Sequence, residues 1–541
     1  MDKLGSWQNR GNSGESQEEP RMDGESQQAE AVLPAQDAGP WTDPPPRPHP
    51  ERDPGQEPRA GGRPGAGVGT APGRFAGGWL DPWLLAGAFF AVYTALSVTR
   101  YRRMLTMSWD LGIFEQAVKS YAHLRAPVAD LKGPGFNILG DHFSPITALI
   151  APFYRVFPTS VTLLVAQALL FAVSVVPVTR AAGRVFGRGG GAAAGVAYGL
   201  SWGVQRAVDF DFHEVAFAMP MLAFSLEAVL RKRWAAAMWW AVPLVLVKED
   251  MGAGVAMTGL VVWLRTGREE KARENGEENG GAPAGGRGDV RTFALGLMGF
   301  GVAASAWEVN WFIPAFHGPG YDALNHLNGD GSLAGHIPVV TAAHTLLWVL
   351  LPTSGLLALR SPLVLVALPT VGWRFMSHYP ENWGTGWHYS AVLMPVVFLA
   401  MVDAAQRLRA GRRRWLRAYA GGVPVAMAGA AVALSTQLPV AELAHPGTYE
   451  VSGRVRAVER MLDRIPDGAT VEADIGPLSR LVRRTTVYWT GGTKGEVVPQ
   501  YMALENDGWL KDPSAYAREL HPGARYGVLV KGDGYVILRR E

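Results

Sequence analysis

Apolar residues in this chain gather into long runs separated by short polar, often basic, connections. Runs of roughly 15–22 positions are what a helix needs to cross a hydrocarbon core of about 30 Å. Spans are expected near 80–98, 161–179, 191–207, 214–230, 234–248, 251–264, 292–312, 339–358, 361–374, 388–405 and 418–437. The segment "SPITALIAPFYRVF" (144–157) is shorter, holds two prolines and carries Arg155 near its end. It is expected to lie against the membrane rather than cross it.

Two stretches fall outside this pattern. Residues 1–75 are rich in Pro, Gly and Glu and show no apolar periodicity, so they cannot bury enough surface to offset their ordering entropy. A disordered cytoplasmic tail is expected there. In residues 441–541 the period changes. "RVRAVERMLDRI" has helical spacing, whereas "ATVEAD", "TTVYW", "RYGVLV" and "GYVILRR" read as short strands punctuated by Gly, Pro and Asp. The expected fold class is an all-α polytopic membrane protein over 76–440, with about 11 transmembrane helices, followed by a small extracytoplasmic α/β domain over 441–541.

Composition changes this picture only where it is resolved along the chain. Over 541 residues, 48% are hydrophobic and 18% charged, and the formal net charge is +3. The mean hydropathy of +0.04 averages apolar spans against polar tails. The basic residues sit in the connections. With the N-terminus in the cytoplasm, Arg180, Arg184 and Arg188, the "RKR" at 231–233, the 265–291 loop with Arg265, Arg268 and Lys271, and "RLRAGRRRWLR" (407–417) all fall on one side, as the positive-inside rule requires. Arg102 and Arg103 fall on the other side, in a long loop where the rule is weaker. The C-terminus is then expected outside. Met1–Arg74 shows no leader with an apolar core and a cleavage site, so an internal first anchor is expected. The absence of cysteine excludes disulfides, thiolate catalysis and Cys-ligated metal. The Ala/Gly/Arg/Trp-heavy usage suggests a bacterium of high genomic GC content, with the plasma membrane as the location and the lipid bilayer, not nucleic acid, as the partner.

The acids sort as well. Asp110, Asp141, Asp209, Asp211, Glu214, Glu249, Asp250 and Glu308 all lie at or near the expected outer ends of spans. Carboxylates at membrane depth are costly and mark function, so acids from several spans on one face suggest one shared site.

Four motifs in fixed order, "WDLGIFEQAV" (109–118), "LGDHFSPI" (139–146), "DFDFHEVAFAMPML" (209–222) and "LVKEDMGAG" (246–254), resemble a family of bacterial multi-pass proteins catalogued as a domain of unknown function. The resemblance covers roughly residues 80–440 and, more loosely, the C-terminal segment. That family is in turn similar to the GT-C glycosyltransferases of the protein O-mannosyltransferase and arabinosyltransferase type. Those enzymes take a sugar from a polyprenyl-phosphate donor. Their first outer loop carries an acid soon after the first span, followed by membrane-parallel helices. Here Asp110 and the 144–157 segment share that layout, although Leu111 follows Asp110 where the mannosyltransferases have a paired acid. The resemblance implies a GT-C-like fold, a polyprenyl-phosphate-linked sugar as partner, an envelope acceptor at the outer face, and Asp110 as the base that activates it. A transporter or lipid flippase stays open as an alternative, although no repeated halves are visible. So does a non-enzymatic envelope scaffold.

The residues themselves allow this chemistry. A partly desolvated Asp110 would be a better base than a solvated one, although it or Ser108 could instead cap the helix that follows. Asp141 and His142 suit hydrogen bonding to a sugar or phosphate, or form a loop turn. Asp209, Asp211 and His213 share a side if extended and could hold a divalent cation, magnesium or manganese, against a phosphate; they could equally be solvated loop charges. The HExxH zinc pattern fails because Phe217 stands where the second His is needed. Lys248, Glu249 and Asp250 sit between two short apolar runs and must face water, a cavity or each other. Arg374, His378 and His388, with Glu381, occupy a further outer loop, where Arg and His suit a phosphate leaving group. The aromatic residues around them suit an interfacial belt. "FGRGGGAAAG" lacks the GK[ST] of a P-loop, and "NHLNGDG" lacks calcium-loop spacing.

Overall fold

Proline and glycine decide where the apolar runs remain helical. The computed structural model describes residues 80–275, 287–317, 338–493 and 495–541; the expected disordered tail lies outside these residues. Helix α1 (Asp81–Arg102) carries Pro82 in its first turn, where no amide partner is lost, and runs unbroken. After α2 (Trp109–Ala122), α3 (Ser160–Gly199) is much longer than one crossing needs. At Gly187 its backbone turns to φ 80°, ψ −179°, a conformation that only glycine adopts readily, and the chain folds back on itself. A Cβ on Gly191 would lie 2.7 Å from the Gly183 Cα, so the two arms pack backbone to backbone. This hairpin contains the expected span at 161–179 and the first half of the one at 191–207, whose remainder falls in the next helix, Trp202–Phe210, and it places Arg184 and Arg188 near its tip.

The chain continues through α4 (Trp202–Phe210), α5 (Ala218–Leu230), α6 (Trp234–Ala241), α7 (Met251–Glu274), α8 (Arg287–Trp307), α9 (Val339–Ser354), α10 (Leu368–Met376), α11 (Leu393–Arg409) and α12 (Arg414–Ser435). Among the described residues, five helical stretches are long and apolar enough to cross a membrane: Asp81–Arg102, Ser160–Phe210, Asp289–His317, His388–Arg409 and Arg414–Ser435. The expected count of eleven is not reproduced by that criterion. The remaining apolar runs form shorter helices, at Trp234–Leu246, Val339–Ser354 and Pro362–Met376. Proline is one cause: Pro243 and Pro362 each open a 3₁₀ segment, Val242–Leu246 and Pro362–Ala367. The 214–230 run begins with a 3₁₀ turn at Glu214–Ala216, which leaves α5 only 13 residues. The 144–157 segment is a 3₁₀ turn followed by the short helix Ala151–Val156. Ile146, Ile150 and Tyr154 are buried, while Leu149, Phe153, Val156 and Phe157 are left exposed.

The C-terminal residues form a five-stranded sheet in the order β2-β1-β3-β5-β4, with β1 (Thr470–Ala473), β2 (Thr486–Trp489), β3 (Tyr501–Glu505), β4 (Tyr526–Gly532) and β5 (Tyr535–Arg540). β1 is parallel to β2 and β3, and β5 is antiparallel to β3 and β4. Asp533 and Gly534, both at positive φ, make the two-residue turn that suits the right-handed twist of a hairpin. Helices α13 (Gly453–Leu462), α14 (Ile475–Leu481) and α15 (Pro513–Leu520) accompany it. The central strand β3, "YMALE", and helices α14 and α15 were not expected from the sequence. The sheet shares a core with α2: Ile113, Ala117 and Leu131 pack with Val471, Leu481 and Ile537. Gly112 of the "DLGIF" motif allows that approach, since a Cβ there would fall 2.1 Å from the Leu478 side chain.

Candidate functional site

Helix α2 begins without a cap of its own. Ser108 stands at the N-cap in a left-handed conformation and its side chain makes no capping bond. The Leu111 N–H, where a capping oxygen normally binds, is instead accepted by Asp211 Oδ2 at 3.1 Å. Asp211 reaches it from the break after α4, and that break is itself held by Gln167, in the third turn of α3. Gln167 Nε2 donates to the Ala207 carbonyl at 3.3 Å and to the Asp211 carbonyl, and its Oε1 accepts the His213 N–H at 2.9 Å. Asp110, in the first turn of α2, is therefore released from capping. It is half-buried, and no hydrogen bond to its carboxylate is found among the described residues.

Around Asp110 two charged strands of contacts meet. In one, Lys132 lies 2.9 Å from Asp141, and His142 Nδ1 lies 3.0 Å from Glu249 Oε1, while Glu249 Oε2 accepts the Phe143 N–H at 3.2 Å. In the other, Lys248 Nζ lies 3.7 Å from Glu214 Oε1 and 5.7 Å above the Trp373 ring. His213 Nδ1 lies 2.7 Å from Glu214 Oε2 without the alignment of a hydrogen bond. The His213 ring stacks on His388 at 3.8 Å. Donor atoms of Asp110, His213 and His388 all fall within 4.8 Å of one another. Several buried polar atoms here have no hydrogen-bond partner: Asp211 Oδ1, His213 Nδ1, both Glu214 oxygens, Asp250 Oδ1 and both ring nitrogens of His388. Buried polar atoms are normally paired, so a concentration of unpaired ones marks a place built to receive something.

The electrostatics follow from burial and from the neighbours. Burial, reinforced by the Glu214 charge, pushes Asp110 up to about 6. Burial, followed by Asp110 itself, pushes Asp211 well above the usual carboxylate range. Burial opposes ionisation of Asp141, but the His142 and Lys132 charges outweigh it and bring the carboxyl down to about 2. Burial and Lys248 would lower His142, yet Glu249 and Asp141 prevail and raise it to about 9.

A family model described as "Predicted membrane protein (DUF2079)" matches residues 100–494. The chain belongs to the DUF2079 family of predicted membrane proteins. It is thus a membrane-embedded protein, with its apolar helices as the membrane part. No curated protein matches the sequence. Among solved structures it is similar to ArnT from Cupriavidus metallidurans bound to undecaprenyl phosphate, at 14% identity and a TM-score of 0.47, over 86% of this chain and 98% of that chain. It is also similar to the apo state of ArnT, at 13% identity and a TM-score of 0.41, over 84% and 98%.

In this DUF2079 member the structure joins Asp110, His213 and His388, and it links Asp141, His142 and Glu249 to one another and Lys248 to Glu214. It separates the three residues expected to share a cation. Asp209 is taken up by Arg100 at 2.9 Å and Arg206 at 3.8 Å, Asp211 caps α2, and only His213 joins a convergent donor set. The reason is the break after α4: Asp209 stays on the helix and Asp211 lies beyond it, so the extended alternation that would align them is absent. Arg374 is fully buried and spends its donors on the Asn382 and Gly384 carbonyls and Ser390 Oγ, at 2.8, 2.8 and 3.1 Å. It holds the loop that delivers His388. His378 is half-buried and tilted against Tyr379, with ring centres 4.4 Å apart. Sequence reasoning missed Lys132 and Gln167. Gln167 had a visible signal, a lone amide inside "TLLVAQALLF", where a polar side chain needs a partner.

Proposed function

We propose that this protein transfers a sugar from a polyprenyl-phosphate donor to an envelope acceptor, with Asp110 as general base. The observation that carries the reading is the uncapped, half-buried Asp110 carboxylate among imidazoles with unpaired nitrogens. In the step, the acceptor hydroxyl oxygen bonds to the anomeric carbon, its proton passes to the Asp110 carboxylate, and the bond from that carbon to the lipid phosphate oxygen breaks. The electron pair leaves with the polyprenyl phosphate and the configuration inverts. A carboxylate raised to about 6 is a stronger base than a solvated one and is still ionised at neutral pH. His142 and Lys248 supply positive charge for the phosphate as it departs. We place this face outside the cell, because the basic connections gather at the opposite ends of the helices.

The donors of Asp110, His213 and His388 also fit a divalent cation, since the unpaired His388 nitrogens are what a metal would satisfy. Two imidazoles and one carboxylate suit an imidazole-preferring transition ion better than magnesium, which favours oxygen ligands. Bound there, such an ion would supply Lewis-acid stabilisation to a phosphate oxygen. In this second reading Asp110 is a ligand instead of the base. Metal analysis of the purified protein separates the two: one equivalent of a transition metal that His388→Phe removes supports the ligand role, and metal-free active protein excludes it.

The transfer itself is tested in liposomes with pools of labelled polyprenyl-phosphate sugars and envelope acceptor fractions. Label moving from lipid to acceptor only when the protein is present is the expected result. Failure of every donor pool with well-inserted protein would overturn the reading.

A further inference from the structure

At the other end of the bundle, a cavity of about 630 Å³ opens between α3, α5 and α11, with Arg184, Arg231 and Arg409 in its lining. It is distant from the candidate site. Arg184 stands 24 residues along α3 from Ser160, which lies beside α2, and that is about 36 Å of helix at 1.5 Å per residue. The charges in this region do not balance. Arg180, Arg184 and Arg231 all draw on one buried carboxylate, Glu227, at distances that reach 2.9 Å for Arg184 and 4.0 Å for Arg231. Arg409 has no acid partner among the described residues; it donates to the Val185 carbonyl and lies 5.4 Å above the Phe186 ring. Three guanidinium groups thus share one carboxylate, and Arg409 adds a fourth positive charge nearby. Ala181, Val185, Leu230 and Val402 form an apolar part of the wall, and Gln406 completes the lining.

Arg184, Arg231 and Arg409 line one cavity of a size typical for ligand sites, and they combine bidentate phosphate donors with apolar side chains. We propose that this cavity binds the phosphate of an anionic phospholipid headgroup, with the guanidinium groups on the phosphate and the apolar wall against the glycerol and upper acyl carbons. Basic pockets between membrane helices recognise such headgroups in this way. The apolar wall favours a lipid phosphate over a free one.

The test reconstitutes the full-length protein in nanodiscs of phosphatidylcholine with and without phosphatidylglycerol, and follows lipid retention by native mass spectrometry together with the melting temperature. Wild-type protein should retain phosphatidylglycerol and melt higher with it. Arg231→Gln combined with Arg409→Gln should weaken retention roughly tenfold or more. Both side chains are exposed at the helix ends, and a cooperative melt in phosphatidylcholine confirms that the variant is folded; if it is not, Arg409→Gln alone serves, with a smaller loss expected. Arg188→Gln is the control, because Arg188 pairs with Asp81 at 2.5 Å outside this lining. Equal loss in the control would mean general surface charge and would overturn the site. Saturation by inorganic phosphate alone, with no preference for phosphatidylglycerol, would overturn the lipid assignment.

Discussion

Asp110 and Glu115 lie on the same helix, five residues apart and so about 140° apart around its axis, and they have opposite surroundings. Glu115 is completely buried and fully occupied: Tyr154 donates to one oxygen at 2.8 Å and Ser160 to the other at 2.5 Å. Ser160 Oγ also reaches the Ser479 carbonyl at 3.0 Å, so this face of α2 ties the first loop, the start of α3 and helix α14 of the C-terminal segment together. Asp110 meets a region where carboxylate oxygens and imidazole nitrogens lack partners. An acid that is expensive to bury is retained on one face because it is satisfied and holds the structure together. On the other face it is retained without being satisfied, which structure alone does not explain. The first face should govern stability and the second should govern chemistry.

The largest stability effect belongs to Glu115. Burial raises its carboxyl to about 7, so the folded state holds the proton while the unfolded chain, near 4.5, releases it. Stability is therefore highest below about pH 4.5 and falls as the pH rises towards 7, by roughly 3 kcal/mol over that window. Denaturation of the detergent-solubilised protein across pH should show this slope, and Glu115→Gln should flatten it. A slope that survives in Glu115→Gln would break the contrast. Next comes Gly112→Val, which forces a branched side chain against Leu478. It should cost roughly 1–3 kcal/mol and expose the 475–481 helix to proteolysis before the membrane helices. Smallest in stability is His388→Phe. The imidazole nitrogens have no partners to lose, so its melting should stay within about 1 kcal/mol of wild type while sugar transfer fails. Strong destabilisation would instead make His388 a structural residue.

The sequence made some of these features visible and concealed others for physical reasons. α1 and α12 were readable because a single uninterrupted apolar run needs no tertiary information. The α3 hairpin was readable because its tip is rich in arginine and glycine. The 234–248 and 361–374 runs read as spans, and the structure gives shorter helices there, because hydropathy does not register the 3₁₀ segments Val242–Leu246 and Pro362–Ala367. β3 was hidden because "YMALE" is short, carries a helix-favouring Ala-Leu-Glu and becomes a strand only between β1 and β5, an instance of tertiary pairing overriding local preference. At the site, the clustering of acids was visible but the division of labour was not. Only the fold shows that Asp211 takes the capping role and leaves Asp110 open, or that His388 stacks on His213 from a distant loop that Arg374 holds in place.

The most direct measurement is the transfer rate of Asp110→Asn set beside its melting temperature. Asparagine keeps the shape of the side chain and lacks only the basic carboxylate. The account predicts a rate lower by roughly 10²–10⁴ in protein that inserts and melts like wild type, because α2 is capped by Asp211 and not by Asp110. Full transfer activity in well-inserted Asp110→Asn protein would contradict it.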